Sequence, residues 1–327
     1  MERRTFGDTD LGTSAIAFGT WALGSDWWGA TDDPDRLVAR ALDLGVTFFD
    51  TGDAYGRGAN EEILGRALER AGAERERVEL STKFGYVIDR ERQGHEESER
   101  PQDWSPAHVR RALEASLGRL GTDHVDLYQL HNPRMDAIAR DDLYAELDAL
   151  RAEGKIRHYG VALGPAIGWR DEGVTALERR DISALQTVYN MLEQEPGAEF
   201  LELAERTGAG LMARVPTSSG LLEGKYTPET TFTGNDHRRH RKREWLVEGL
   251  QKVDRLRFLT RDGERTLAQA ALRFILAQPQ IACVVPTVTS ERELEEWAAT
   301  VDTPELDDDE LAAVDDLYRS NFGLAAA

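Results

Sequence analysis

The 327-residue chain has a single cysteine, Cys283, so no internal disulfide staples it and its stability must come from a packed core. Lysine is scarce as well, with positions 83, 155, 225, 242 and 252 the only five among 40 basic residues. Against those 40 stand 60 Asp and Glu, and the formal charge of −20 repels phosphate backbones and anionic lipid surfaces. Nucleic acid and membranes are thereby excluded as expected partners, which leaves small molecules. No stretch approaches the ~20 consecutive apolar residues that a membrane-spanning helix needs. Met1 is followed by Glu2, Arg3, Arg4 and a mixed polar stretch in place of an apolar secretion signal, so the expected location is cytoplasmic. Proline is sparse, eleven in all, and no linker rich in Pro, Gly and Ser divides the chain. With 40% hydrophobic residues and seven Trp there is material for one large core, and residues 1–327 are read as one domain. The excess of acid, carried with Arg in place of Lys, fits a GC-rich genome and leaves a halophilic origin open, since at 1 M salt the Debye length falls to about 3 Å and self-repulsion becomes tolerable.

Short apolar runs alternate with longer amphipathic stretches along the whole chain, the signal of repeated β/α units around a parallel sheet. The expected strands are Ala15–Phe18, Val46–Asp50, Val78–Thr82, Val125–Leu130, Ile156–Val161, Ala184–Val188, Gly210–Ala213 and Ala282–Val285. The expected helices are Pro34–Leu44, Asn60–Arg70, Pro106–Leu120, Ala139–Glu153, Trp169–Arg179, Ala198–Thr207, Thr266–Gln278 and Glu291–Ala299. Asp33-Pro34 and Ser105-Pro106 are start signals, while Gly45 and Gly121 stand where helices should stop. Eight such units describe an α/β protein of the (β/α)8 TIM-barrel class. Residues Arg4 to Ser14 read as an N-terminal β-hairpin closing the barrel bottom. The interval of about 215–265 is a long loop and helix insertion, with Glu244–Leu259 helical, and a C-terminal helix is expected at about 307–319.

In such a barrel the reactive groups lie at the carboxyl ends of strands. Asp50 ends one predicted strand, Lys83 the next and His131 the one after, while Tyr55 follows Asp50 in the loop Gly52-Asp53-Ala54-Tyr55-Gly56. Neighbouring strands lie about 4.8 Å apart, so these side chains can converge on one point of the rim. A tyrosine is a poor acid in water, ionising near pH ~10, but an adjacent ammonium favours its phenolate and makes it a usable proton donor. Asp50 would anchor that ammonium, and His131 would orient a carbonyl oxygen or relay its proton. Taken singly, each has a plainer explanation: a structural ion pair, a packing tyrosine, a hydrogen-bonded rim histidine. Their coincidence on three consecutive strand ends argues for chemistry. No metal-ligand spacing and no nucleophile set accompanies them, so the hydride or electron source must be a bound cofactor. Two further features admit two readings. The run His237-Arg238-Arg239-His240-Arg241-Lys242-Arg243 is expected to be a solvated face rather than a phosphate grip, and Trp21, Trp27 and Trp28 either line a substrate pocket or pack the rim.

The stretch Phe49-Asp50-Thr51-Gly52-Asp53-Ala54-Tyr55-Gly56 resembles the aldo-keto reductase signature F-D-T-A-x-x-Y-G, with Gly52 in the place of Ala. The resemblance continues through Ser81-Thr82-Lys83, Val125 to His131, Gly154-Lys155-Ile156-Arg157, Gln186 with Tyr189-Asn190, and Gly220-Leu221-Leu222 with Gly224-Lys225-Tyr226. It covers the chain from Arg4 to about Leu317. It implies that Asp50, Tyr55, Lys83 and His131 form a catalytic tetrad, with Tyr55 giving a proton to an aldehyde or ketone that is reduced by NADP(H) or NAD(H). It also implies cofactor contacts from Gly19, Thr20, Trp21, Gln186, Arg214, Pro216, Gly220, Leu221, Lys225, Thr287, Thr289, Glu293 and Glu296.

Departures from the family pattern lie in that cofactor site. Where the family has G-V-S-N, whose Ser and Asn hold the nicotinamide carboxamide, this chain has Gly160-Val161-Ala162-Leu163. Arg214 replaces the aromatic residue that stacks on the nicotinamide, and a planar guanidinium can also stack. Glu293 stands where the family places an Arg or Gln for the 2′-phosphate, and Trp297 where it places an Asn, with Arg292 one residue away from Glu293. A carboxylate there suits a free ribose hydroxyl better than a phosphate, and both cofactors stay open. The expected function is NAD(P)H-dependent carbonyl reduction or its reverse. The lost Ser-Asn pair keeps a second reading, a cofactor-binding regulatory or subunit protein with slow turnover, and a silent barrel would leave the intact tetrad unexplained. The carbonyl substrate, set by rim loops such as 85–104, and the oligomeric state are open at this level.

Overall fold

The computed structural model describes residues 1–24, 31–88, 100–164, 169–234 and 236–324. An antiparallel pair, β1 (Arg3–Thr5) and β2 (Gly12–Ser14), precedes eight parallel strands: β3 (Phe18–Gly19), β4 (Phe48–Asp50), β5 (Glu79–Phe84), β6 (Val125–His131), β7 (Ile156–Ala162), β8 (Ala184–Val188), β9 (Gly210–Arg214) and β10 (Ile281–Val285). They pair in chain order, and the ring closes where Ala17 N donates to Val284 O at 2.9 Å and Gly19 N to Pro286 O at 3.2 Å. This is the TIM barrel that the alternation implied.

Between and after the strands run α1 (Pro34–Asp43), α2 (Ala59–Arg70), α3 (Pro106–Leu120), α4 (Met135–Ile138), α5 (Asp141–Ala152), α6 (Arg170–Arg179), α7 (Gly197–Thr207), α8 (Arg243–Arg255), α9 (Leu267–Leu276), α10 (Glu291–Ala298) and α11 (Asp308–Arg319). Their starts follow local chemistry. Asp33 accepts from the amides of Asp35 and Arg36, Ser105 from that of His108, and Pro34 and Pro106 fill first-turn positions that need no donor. Thr266 with Gln269 and Asp307 with Glu310 form capping boxes. At the far end of α3, Gly121 takes φ +70°, which ends the helix at no steric cost.

Two expected boundaries shift. The first barrel strand begins later than Ala15 on its β4 side, where the Ser14 hydroxyl accepts from Thr47 N at 3.1 Å and donates to Ile16 O at 2.7 Å in place of ladder bonds, while Ala15 O and Ala17 N still bond Val284. The helix expected over 139–153 is α5, which starts at Asp141 because Arg140 is extended, and the short α4 precedes it. The segment 215–265 is organised by 3₁₀ turns at Leu221–Glu223, His237–His240 and Arg257–Gly263 and by α8, and it buries Leu221, Leu222, Leu246, Val253, Leu256 and Leu259.

Residues two apart on a strand share a face, and this rule divides the core. Phe49, Leu80, Tyr128, Leu130, Val161, Leu185 and Leu211 pack outward against the helices. Phe48, Leu127, Ala184, Met212 and Cys283 form an inner cluster together with Phe6 and Leu11 from the β1–β2 hairpin, which plugs the barrel bottom. The same parity carries Asp50, Ser81, Lys83, Gln129, His131, Gln186 and Arg214 inward at the opposite, carboxyl end.

Candidate active site

Register brings these inward polar groups level. Asp50 is the partner of Ser81, Lys83 of Gln129, and His131 of Ala162, which in turn pairs Gln186. Asp50 is 4% exposed and Lys83 is 1% exposed, yet neither is isolated. The Lys83 Nζ donates to Asp50 Oδ2 at 2.6 Å and to the Thr51 carbonyl at 2.7 Å. Asp50 Oδ1 accepts from Ser81 Oγ at 2.9 Å and Gln129 Nε2 at 3.1 Å, and Oδ2 also accepts from Gln186 Nε2 at 3.1 Å. Burial opposes the ammonium, but the Asp50 carboxylate and the Tyr55 hydroxyl outweigh it and raise the lysine's pKa. The pair is charged and fully hydrogen-bonded, the condition under which a buried ion pair persists.

Tyr55 lies over this pair, its ring centroid 5.0 Å from the Lys83 Nζ. The His131 ring meets it edge-on at 5.5 Å and meets Tyr86 at 5.0 Å. Burial drives the His131 pKa well below the usual histidine value, and Lys83, Arg214 and Arg100 add to the effect, so the ring is neutral at neutral pH. Its Nδ1 is sealed without a partner among the described residues, which leaves Nε2 as the nitrogen able to serve a ligand.

Behind Tyr55 is a network that the strand-end reading missed. Thr82 Oγ1 donates to Glu61 at 2.5 Å, and Glu61 accepts from Arg119 Nε at 2.7 Å. Asp53 is buried next to it, and desolvation with the charge of Glu61 raises its pKa well above the ordinary carboxyl value. Asn60 Nδ2 donates to the Thr20 carbonyl at 2.7 Å and so ties the start of α2 to the rim after β3.

A cavity of about 380 Å³ opens above these groups. Of the expected residues, Asp50, Tyr55, His131, Gly19, Thr20, Trp21, Gln186, Arg214, Pro216 and Thr287 line it, and Lys83 lies beneath Tyr55. Gly220, Leu221, Lys225, Thr289, Glu293 and Glu296 are not among its walls. Lys225 instead bridges Glu223 and Glu293, at 3.1 Å to the latter, and Glu293 also accepts from Thr289 Oγ1 at 2.5 Å. Glu296 accepts from Thr266 Oγ1 at 2.6 Å. Sequence reasoning missed Glu193, Glu223, His237 and Arg241 as lining residues. The last two belong to the basic run expected to be a solvated face. That expectation is corrected in part: Arg238 is buried against Asp236, and the His237 ring meets Trp21 at 4.9 Å, so the run folds over the cavity while Arg239 and Lys242 face solvent. Net charge pointed outward, but a single basic segment can answer a local need that the global −20 hides. Trp27 and Trp28 lie outside the described residues.

The donor set suits a nicotinamide dinucleotide. Gln186 spends its NH2 on Asp50 and so presents Oε1, an acceptor for a carboxamide NH2. The buried Thr20 Oγ1 has no partner among the described residues, and His237 and Arg241 give the acidic chain a basic edge for phosphates. Cavity volume is within the usual range for such ligands.

Comparison with known proteins agrees with this geometry. The family model described as "Aldo/keto reductase family" matches residues 15–319. The aldo-keto reductase YhdN of Bacillus subtilis is 34% identical over 302 residues, covering 85% of this chain and 82% of that protein. Among solved structures, the glycerol dehydrogenase AKR11B4 from Gluconobacter oxydans superimposes with a TM-score of 0.81 at 28% identity, covering 99% of this chain and 97% of that one. The holo form of aldo-keto reductase AKR11C1 from Bacillus halodurans gives 0.76 at 28% identity, covering 97% and 96%.

Proposed function

The chain belongs to the aldo/keto reductase family, whose reaction is the NAD(P)H-dependent reduction of carbonyls, and we propose that Asp50, Tyr55, Lys83 and His131 carry that reaction here. The observation that supports it most is the buried Lys83–Asp50 pair at 2.6 Å, set against the Tyr55 ring at the floor of the cavity. When bound, the nicotinamide cofactor supplies hydride to the carbonyl carbon. The remaining work falls to the chain. Tyr55 gives its hydroxyl proton to the carbonyl oxygen as negative charge develops there. The ammonium of Lys83 stabilises the phenolate that is left, and Asp50, held by Ser81, Gln129 and Gln186, keeps that ammonium in place. Neutral His131 donates through Nε2 to the same oxygen and orients it. Gln186, Thr20, Trp21, Pro216 and Thr287 would hold the cofactor along the cavity.

The preferred cofactor on this reading is NAD(H). Glu293 stands where the family pattern has a phosphate-binding residue, and Lys225, which lies against it, is shared with Glu223, so two carboxylates face one ammonium. A 2′-phosphate adds a third anion to that cluster, whereas a ribose hydroxyl finds an acceptor. The partners are then a small carbonyl compound and the cofactor, with no nucleic acid or membrane, in the cytoplasm. No described helix is long and apolar enough to cross a membrane.

Tyr55→Phe removes the proton donor at almost no cost in volume. The variant should bind cofactor as the parent does and lose about 100-fold or more in kcat for small aldehydes, the scale of general acid catalysis. Retained activity in Tyr55→Phe would rule out this mechanism. Quenching of tryptophan fluorescence by NADH and by NADPH gives the two dissociation constants, and tighter NADPH binding by the parent would overturn the cofactor assignment. Ala162 and Leu163 in place of polar carboxamide ligands favour the slow-turnover reading, for which the signature is tight cofactor binding with no turnover of any carbonyl.

A further inference from the structure

Arg214 ends β9 on the inward face, two residues beyond Met212, and lines the cavity together with Tyr55 and His131. Its Nε and Nη2 are shut off from solvent, and no described residue accepts a hydrogen bond from them. The described carboxylates that line the cavity are committed elsewhere. Asp50 is taken by Lys83, Ser81, Gln129 and Gln186, Glu193 by Asn190 and Ser218, and Glu223 by Thr217 and Lys225. Lys83 is neutralised by Asp50, and His131 is neutral, so among the described residues that line the cavity beside the tetrad the charge without a counter-ion is that of Arg214. A guanidinium does not escape by losing its proton, and holding it desolvated without a counter-ion is costly. A leucine or methionine would fill the same space without that cost. A charge kept at such a position points to a ligand that brings the opposite charge.

Resting on the carbonyl-reductase reading, we propose that Arg214 makes this site selective for anionic carbonyl compounds, an aldehyde or ketone bearing a carboxylate within a few bonds of the reacting carbon. The guanidinium is planar and matches a carboxylate in a two-point contact that a neutral aldehyde lacks. Cofactor phosphates carry similar chemistry. The electrostatic reach of Arg214, however, is to Tyr55, Asp50 and His131, the groups around the carbonyl, whereas Arg241 supplies a cation from the segment folded over the cavity.

The test compares succinic semialdehyde with its neutral counterpart pentanal in the parent, Arg214→Met and Arg214→Lys, with the cofactor dissociation constant measured separately. The parent should prefer the anionic aldehyde by about 10- to 100-fold in kcat/KM, the worth of one charge-assisted pair. Arg214→Met should lose that preference, its kcat/KM falling about 10- to 100-fold further on succinic semialdehyde than on pentanal, and Arg214→Lys should regain part of it. A parent that does not prefer the anionic aldehyde overturns the proposal. So does an Arg214→Met variant that loses both substrates equally through weakened cofactor binding, which would give the charge to the cofactor, whether through its phosphates or by stacking on its nicotinamide. A second arm needs no turnover: butyrate should raise the melting temperature of the cofactor-loaded parent and not that of Arg214→Met. If the parent reduces neither aldehyde yet shows this Arg214-dependent shift, the anion pocket stands and the reductase reading falls. If butyrate shifts both proteins alike, the pocket falls.

Discussion

Asp53 and His131 flank Tyr55 and respond to burial in opposite directions. His131 is held neutral, so its folded pKa lies below the unfolded value near ~6.5. The unfolded chain then binds the extra proton first, and the stability this residue contributes is present above about pH 6.5 and is lost as pH falls. Asp53 is held as the neutral acid, with a folded pKa well above that of an ordinary carboxyl. Its contribution is complete below about pH 4 and is lost as pH rises through the folded pKa. Asp53→Asn keeps the shape and abolishes the ionisation, so relative to the parent the variant should gain stability as pH rises above about 4. Urea unfolding midpoints at several pH values provide the check, and a difference that is independent of pH would show that Asp53 ionises in the folded protein as readily as in the unfolded one.

At the level of elements, the rim is held by helix ends and by segments that reach across to one another. Thr266 caps α9 through Gln269 N at 3.1 Å and donates to Glu296 on α10 at 2.6 Å, so one hydroxyl both starts a helix and binds its neighbour. Replacing Thr266 by Ala should cost about 1–2 kcal/mol in chemical denaturation, from the lost cap and the Glu296 oxygen left without its donor. Glu296→Gln, by contrast, should leave the cofactor dissociation constant within about 2-fold, since that carboxylate serves helix packing rather than the cavity wall. A large loss of cofactor affinity in Glu296→Gln would return the residue to the binding site that the family pattern implied for it.

The whole molecule carries −20 charges on one barrel, many of them on helices facing solvent. Local pairing is extensive, as in Arg110 with Glu146 and Glu153 or Arg261 with Glu310, but exposed pairs of this kind contribute little each and do not remove the net repulsion. Raising NaCl from 0.1 M to 1 M shortens the Debye length from about 10 Å to about 3 Å, so it should raise the melting temperature through screened self-repulsion. Scanning calorimetry across that range decides the point, and a melting temperature that falls with salt would show that specific ion pairs outweigh the net charge.

The sequence by itself determined the barrel, the hairpin plug and the placing of Asp50, Lys83 and His131 at strand ends. Each rests on short-range regularities: period-two strands, capped amphipathic helices, and parity that sends Asp50, Lys83 and His131 inward. Exceptions at this level were local, as where the Ser14 hydroxyl replaced ladder bonds and shortened β3. Only the tertiary structure decided which polar groups meet across the ring. Gln129 reads as one more residue of a buried strand until register sets its amide against Asp50 and Ser81. His237 and Arg241 read as a solvated basic run until the chain after β9 folds back over the cavity. Arg214 reads as a substitution for an aromatic residue until its Nε and Nη2 prove to be buried with no acceptor among the described residues. Composition and periodicity average over the chain, whereas counter-ions, desolvation and partners depend on residues far apart in sequence and only ångströms apart in space.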